Sequence, residues 1–439
     1  MDILIKIVQL LASLSILVLI HECGHFVAAK IFKVRVEKFY LFFNPGFSLF
    51  KFKPKNSDTE YGVGWLPLGG YVKIAGMIDE SLDTDQMKQP VQNWEFRSKP
   101  AWQRLIIMVA GVFMNFVLAI AIYAMILFSY GQEYVPLKNA NLGMSFSDTA
   151  KKCGFVDGDI LLSADGKVLE KLDEESFRKI LNAKQVVVKR NGMRIAIALP
   201  ENFAQQLMGS KEGFTNFRAP FVVKEIMPGT PAAKAMLQMG DSIVSINGVK
   251  LVAQTDFSDA FLQMKNTQIA LGFYRNGELK NTTIVHDSTG KIGDYLKPYF
   301  EIYKTQKKTY GILESVPAGI TMGYKKLTGY ASDMKYVFTK EGAESLGGFG
   351  SIAQLFPTDF SMLFFWEITA YLSVILAFMN ILPIPALDGG HIFFLLYEAI
   401  TGKKLSENFM LNAQKIGLLL LLFLLFYANG MDIVRAFVE

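Results

Sequence analysis

The 439 residues carry 51% hydrophobic and only 19% charged side chains, with a mean hydropathy of +0.27, which excludes an ordinary soluble protein although the length would hold two or three domains. A net charge of +5, from 45 Lys and Arg against 40 Asp and Glu, excludes a nucleic-acid partner gripped by a broad basic surface. Two cysteines, Cys23 and Cys153, exclude a disulfide framework and a cysteine-built zinc ribbon.

A membrane-crossing helix needs about 20 mostly apolar residues to span a core of about 30 Å, and four stretches supply them. Residues 1–32 hold the first, which ends in His21-Glu22-Cys23-Gly24-His25. This stretch shares features with a signal peptide, Lys6 before an apolar region and a small-residue FVAAK. It is long for one, and cleavage would remove the most chemically loaded pentapeptide of the chain. Residues 33–104 follow as a loop rich in Lys and Arg. Within it, 60–76 predicts a β-hairpin, Tyr61 to Trp65 pairing with the β-formers between Gly70 and Gly76. The second span occupies 105–129, and Leu105 to Phe128 carries one polar side chain, Asn115.

From about residue 130 the composition turns soluble, with alternating runs such as QVVVKR and RIAIAL and turn signals at Asn191-Gly192, Asn247-Gly248 and Asn276-Gly277. The segment beginning Gly158-Asp159-Ile160 recurs 82 residues later as Gly240-Asp241-Ser242-Ile243, so two copies of one module are expected, 130–218 and 219–303. Each places a short helix before Gly-Asp, then a strand and a tight turn, and this pattern resembles a PDZ domain. Such modules accept extended peptides at an open sheet edge. A steric plug that binds nothing fits the same residues equally well.

Residues 304–360 alternate basic and aromatic side chains from Tyr324 to Lys340, which fits a helix lying on the membrane surface or a solvated linker. The third span falls in 361–390, apolar from Met362 to Leu382, and 391–439 holds a short loop and the fourth, Ile416 to Tyr427. The expected fold is therefore a polytopic α-helical membrane protein of four spans, with a hairpin and two extramembrane PDZ-like α+β modules. Cytoplasmic loops accumulate Lys and Arg, so 33–104 and the loop bearing Lys403, Lys404 and Lys415 belong inside. Both termini and the two modules then lie outside, in a bacterium the periplasm.

The first span supplies the chemistry. His21 and His25 lie four residues apart, about 40° around a helix axis, so both imidazoles can reach one Zn²⁺ while Glu22 serves as general base for water. Glu22 and two His at the end of an apolar helix are costly in lipid unless they bind something, although an interfacial, solvated group is the plain alternative. A catalytic zinc takes a third protein ligand. The third span breaks at Asn380-Ile381-Leu382-Pro383-Ile384-Pro385-Ala386-Leu387-Asp388-Gly389-Gly390-His391, where two prolines and two glycines forbid continuous helix and imply a water-lined cavity. Asp388 is the candidate ligand there, with a helix N-cap as its alternative role and His391 as a competing ligand. His286, in the second module, reads as a surface residue.

These residues resemble the site-2 protease family of intramembrane metalloproteases, of the bacterial RseP type. The motifs are HECGH, Leu66-Pro67-Leu68-Gly69-Gly70-Tyr71-Val72-Lys73, and Asn380-x-x-Pro383-x-Pro385-x-Leu387-Asp388-Gly389-Gly390, and the similarity covers nearly the whole chain. It implies His21, His25 and Asp388 as zinc ligands and Glu22 as the catalytic glutamate. It further implies a substrate strand held by Asn380, with Pro383 and Pro385 beside it, and a membrane-dipping hairpin whose Gly70, Tyr71, Val72 and Lys73 bind substrate. One departure is Gly111-Val112-Phe113-Met114-Asn115, where the family commonly has Gly-Pro before the Asn.

The resulting expectation is a zinc endopeptidase of the inner membrane that cuts transmembrane segments, with its active site toward the cytoplasmic side. The resemblance implies partners such as anti-sigma factors already trimmed outside, or remnant signal peptides, reached within the lipid bilayer. Two rivals are a membrane-anchored zincin with a soluble site and a catalytically inactive PDZ scaffold.

Overall fold

The computed structural model describes residues 2–67, 69–77, 89–210, 213–264, 267–285, 292–344 and 346–438. Leu68 of the LPLGGYVK motif and His286 lie outside them. The chain forms two compact units, residues 132–308 and the remainder on both sides of them.

In the discontinuous unit, four described helices are long and apolar enough to cross a membrane. They are α1 (Asp2–Ile31), α2 (Ala101–Ser129), Met362–Ile381 and Glu407–Val438. At 1.5 Å per residue α1 extends about 45 Å, more than a bilayer core. Small residues let α1 and α2 approach closely, because a Cβ on Gly24 would strike the Ala110 carbonyl. The Ile312–Val337 helix runs antiparallel to α2, Gly319 against Ala124 and Gly323 against Ile120. It also meets the Met362–Ile381 helix, Tyr330 on Phe378 and Lys326 over the Tyr371 ring. The expected surface helix or solvated linker is thus corrected: two glycines four residues apart make a flat seam that docks lengthwise on a spanning helix.

Between α1 and α2 lies a four-stranded sheet, β1 (Val36–Leu41), β2 (Phe43–Phe52), β3 (Glu60–Leu66) and β4 (Tyr71–Ile74), in the order β2-β3-β1-β4. The expected hairpin of 60–66 with 71–74 does not form. Instead β1 sits between them, parallel to β3 and antiparallel to β4. The reason lies in β1 itself. Val36 and Tyr40 are its buried residues; the Tyr40 ring fills the space over Gly62 of β3 and stacks on Tyr71 of β4 at 5.4 Å. Val36 and Ile74 join Ala28 and Ala29 of α1 and Ile107 and Met108 of α2 in one apolar cluster, which fixes the sheet to both helices. The β3–β4 connection lies along α1: Gly70 comes against Val18, and Pro67 lines a groove with Leu10, Leu11 and Leu14. That reaches about 10 Å along the helix from His21, toward its N-terminus.

The 132–308 unit contains the two modules. Each has its own core, one around Phe155, Val186 and Phe214, the other around Phe221, Phe257 and Leu271. The repeated Gly-Asp has a repeated physical cause. Asp159 and Asp241 are buried and each receives a two-pronged pair of 2.7 Å hydrogen bonds from an arginine, Arg190 and Arg275 respectively. Each carboxylate also accepts a backbone N–H, from Val156 or from Gln238. The preceding Gly158 and Gly240 take φ of 97° and 92°, a region closed to most side chains. Gln132–Tyr134 pairs antiparallel with Gln306–Lys308, so the unit continues past residue 303 and ends on a two-stranded stem.

Candidate metal centre

Helix α1 presents His21 and His25 inward, 8% and 6% exposed. The Nδ1 of His25 lies 2.8 Å from the Ile107 carbonyl of α2. A carbonyl only accepts, so Nδ1 carries the proton and Nε2 is left with a bare lone pair. The Nδ1 of His21 lies 3.2 Å from the side-chain amide of Asn115, a wholly buried residue of α2 whose Oδ1 has no partner among the described residues. A half-turn of that amide lets Oδ1 accept the His21 Nδ1 proton and satisfies the orphan oxygen. His21 then also presents a bare Nε2.

Asp388 arrives from across the unit. The Met362–Ile381 helix stops at Leu382, the chain turns through Pro383 and Pro385, and a new helix, Asp388–Thr401, begins with Leu387 at its N-cap. Asp388 is therefore not the N-cap. Gly389 and Gly390 lie under this turn, where a Cβ on either would meet the backbone of 381–385. Asp388 Oδ2 lies 3.1 Å from His21 Nε2 and 3.2 Å from His25 Nε2, and the two imidazole nitrogens are 3.2 Å apart. No hydrogen-bond donor satisfies this buried oxygen among the described residues.

Three acceptors without a proton between them repel one another unless a cation lies at their focus. Their spacing matches the edge of a tetrahedron, about 3.3 Å for bonds of about 2.0–2.1 Å. Gly111 of α2 adds room: a Cβ there would collide with His25 Nε2. The donor set, its geometry and this clearance all fit zinc.

The trio opens on a cavity of about 600 Å³, which Glu22, Gly70, Tyr71, Val72 and Lys73 also line. β4 is the end strand of its sheet, and its Val72 N–H lies near the Glu22 carboxylate. Tyr71 is held by its hydroxyl on Asn44 Oδ1 at 2.9 Å. Asn380, Pro383 and Pro385, expected to hold substrate, are not among the residues that line this cavity. The prolines form the turn that delivers Asp388, and Pro385 packs on Gly417. His391 lines the cavity but stands outside the trio; its Nε2 accepts from Gln414 Nε2 at 2.7 Å. Gln414 was not singled out from sequence, although a carboxamide just before the Leu-rich run of the last span was the available signal.

The profile of peptidase family M50 matches residues 9–424. The "Regulator of sigma E protease" of Haemophilus influenzae is 30% identical over 450 residues, 96% of this chain and 97% of that one. "Protease RseP" of Yersinia pestis is 28% identical, covering 99% and 100%, and "Metalloprotease MmpA" of Caulobacter vibrioides 28%, covering 98% and 96%. With its apolar helices and its two β-rich modules, the chain belongs to peptidase family M50 and is a polytopic membrane zinc metalloprotease.

Proposed function

We propose that the chain is an intramembrane endopeptidase that holds zinc on His21, His25 and Asp388, uses Glu22 as general base, and cuts transmembrane segments. The observation that carries this reading is the convergence of three proton-free acceptors within 3.2 Å of one another in a cavity that a second carboxylate, Glu22, also lines. Zinc supplies Lewis-acid polarisation of the scissile carbonyl and of water. Glu22 accepts the proton of the attacking water and passes it to the departing amide nitrogen.

A peptide bond inside a helix is sterically closed to attack, so the substrate has to be extended first. The outward edge of β4 provides for this, since a substrate strand can add to it through main-chain hydrogen bonds while Tyr71 and Lys73 contact its side chains. The Val72 N–H that now faces Glu22 orients the base at that edge.

The chain spans the membrane four times, with both termini and the 132–308 unit outside and the 33–104 loop inside, in accord with its Lys and Arg. A relative named as a regulator of sigma E points to substrates of the anti-sigma-factor kind in regulated intramembrane proteolysis, cut after a first periplasmic trimming, and remnant signal peptides form a second class. The PDZ-like pair filters substrates by bulk.

The test is cleavage of a reconstituted transmembrane substrate, with zinc content measured on the same preparations. Glu22→Gln is expected to keep zinc and lose about 10²–10⁴ in rate, and Asp388→Ala to lose both. A wild type that holds no metal and cuts nothing leaves the inactive scaffold as the reading.

A further inference from the structure

We propose that Gln414 is the positioning residue that aims Asp388 at the metal, an inference that rests on the ligand assignment above. Ala386, two residues before Asp388, has φ +76°, a left-handed conformation that residues bearing a Cβ rarely adopt. Such a backbone persists only where its surroundings hold it. The hold comes from the last helix. Gln414 is 4% exposed, and its Oε1 accepts the Ala386 N–H at 2.5 Å while its Nε2 donates to His391 Nε2 at 2.7 Å.

The two anchor points flank Asp388, one on the turn and one on the first turn of the following helix. A single rigid carboxamide therefore sets the distance across the segment that carries the ligand. Gly417, nearly one turn further along the same helix, admits the Pro385 carbonyl where any Cβ would collide, which brings the helix backbone close enough for Gln414 to span both sites. A carboxamide buried at the head of a Leu-rich spanning run is costly unless it is used, and here both of its ends are bound. Gln414 acts on the metal through Asp388, as outer partners of metal ligands do.

The experiment measures zinc affinity by chelator competition on the full chain in detergent, for the wild type, Gln414→Met, Gln414→Met with Ala386→Gly, and Asp388→Ala. Methionine keeps the length of glutamine and removes both hydrogen bonds. Gln414→Met is expected to bind zinc about 10–100-fold more weakly. Glycine takes positive φ without steric cost, so Ala386→Gly is expected to recover about fivefold of that loss. Wild-type affinity in Gln414→Met, with Asp388→Ala having lost zinc, would overturn the positioning role. A loss that Ala386→Gly does not relieve overturns it too, because it marks a general packing fault. Wild-type zinc affinity in Asp388→Ala overturns the ligand assignment itself, whatever Gln414 does.

Discussion

His25 is gripped at two points on one face of α2. The Ile107 carbonyl takes the proton of its Nδ1, and Gly111, one turn on, leaves the space in which Nε2 stands. The glycine therefore belongs to the proposed metal centre although it donates nothing. Gly111→Ala puts a methyl where the ring nitrogen lies, and the ring has no retreat because its other nitrogen is tied to the backbone. The expected outcome is a zinc affinity lowered at least about tenfold with the helices still assembled. Chelator competition beside a melting curve in detergent separates the two effects, and an unchanged affinity would mean that the ring tilts freely. Asn115 plays the corresponding part for His21. The HECGH grouping was legible in the sequence because His21, Glu22 and His25 lie within one helical turn or so. Asp388 was legible for a different reason, since it stands where prolines and glycines break an apolar run. The role of Gln414 was not, because its two bonds join positions 23 and 28 residues away and nothing local to it names either partner.

The sheet shows what an element adds. β4 is only four residues long, yet all four, with Gly70 before them, line the cavity, and its Val72 N–H lies near Glu22. Val72→Pro removes that N–H and blocks strand addition at the same edge. Cleavage of the transmembrane substrate is expected to fall by about 10²-fold or more, the scale of a misplaced reacting group, while zinc content stays at the wild-type level. Loss of zinc along with activity would show instead that β4 braces α1. The order of this sheet could not be read from the chain. Tyr61–Trp65 and Gly70–Gly76 are the nearest β-formers in sequence, and proximity favours a hairpin. A parallel neighbour such as β1 is chosen by packing, here the Tyr40 ring over Gly62 and Val36 against both helices, and packing has no local signature. The Ile312–Val337 helix escaped for the same reason, since the partner that its two glycines fit lies about 200 residues earlier.

At the scale of the molecule, each soluble module hangs on one buried ion pair. Asp241 is fully buried and Arg275, 21% exposed, is its charged partner; the hydrogen bond to Asp241 holds the guanidinium above its ordinary range. Arg275→Leu leaves that carboxylate unpaired, with an expected cost of about 2–4 kcal/mol to the second module. Thermal unfolding of the full chain should show an earlier transition for that module and unaltered zinc binding. An unmoved transition would mean that the backbone N–H of Gln238 suffices for Asp241. The Gly-Asp repeat was visible in the sequence because the same buried carboxylate must be made twice.

The stem of Gln132–Tyr134 against Gln306–Lys308 returns the chain to where it left. Paired strands lie about 4.8 Å apart, so 177 residues occupy a gap that a few glycines could bridge. The soluble portion is, in that sense, a cassette plugged into a continuous peptidase. Replacing 132–308 by a short Gly-Ser linker is expected to leave a chain that still binds zinc, measurable by metal analysis of the purified protein. The same geometry makes the insert exchangeable: any domain whose ends lie a strand's width apart fits between residues 131 and 309 without changing the sequence on either side.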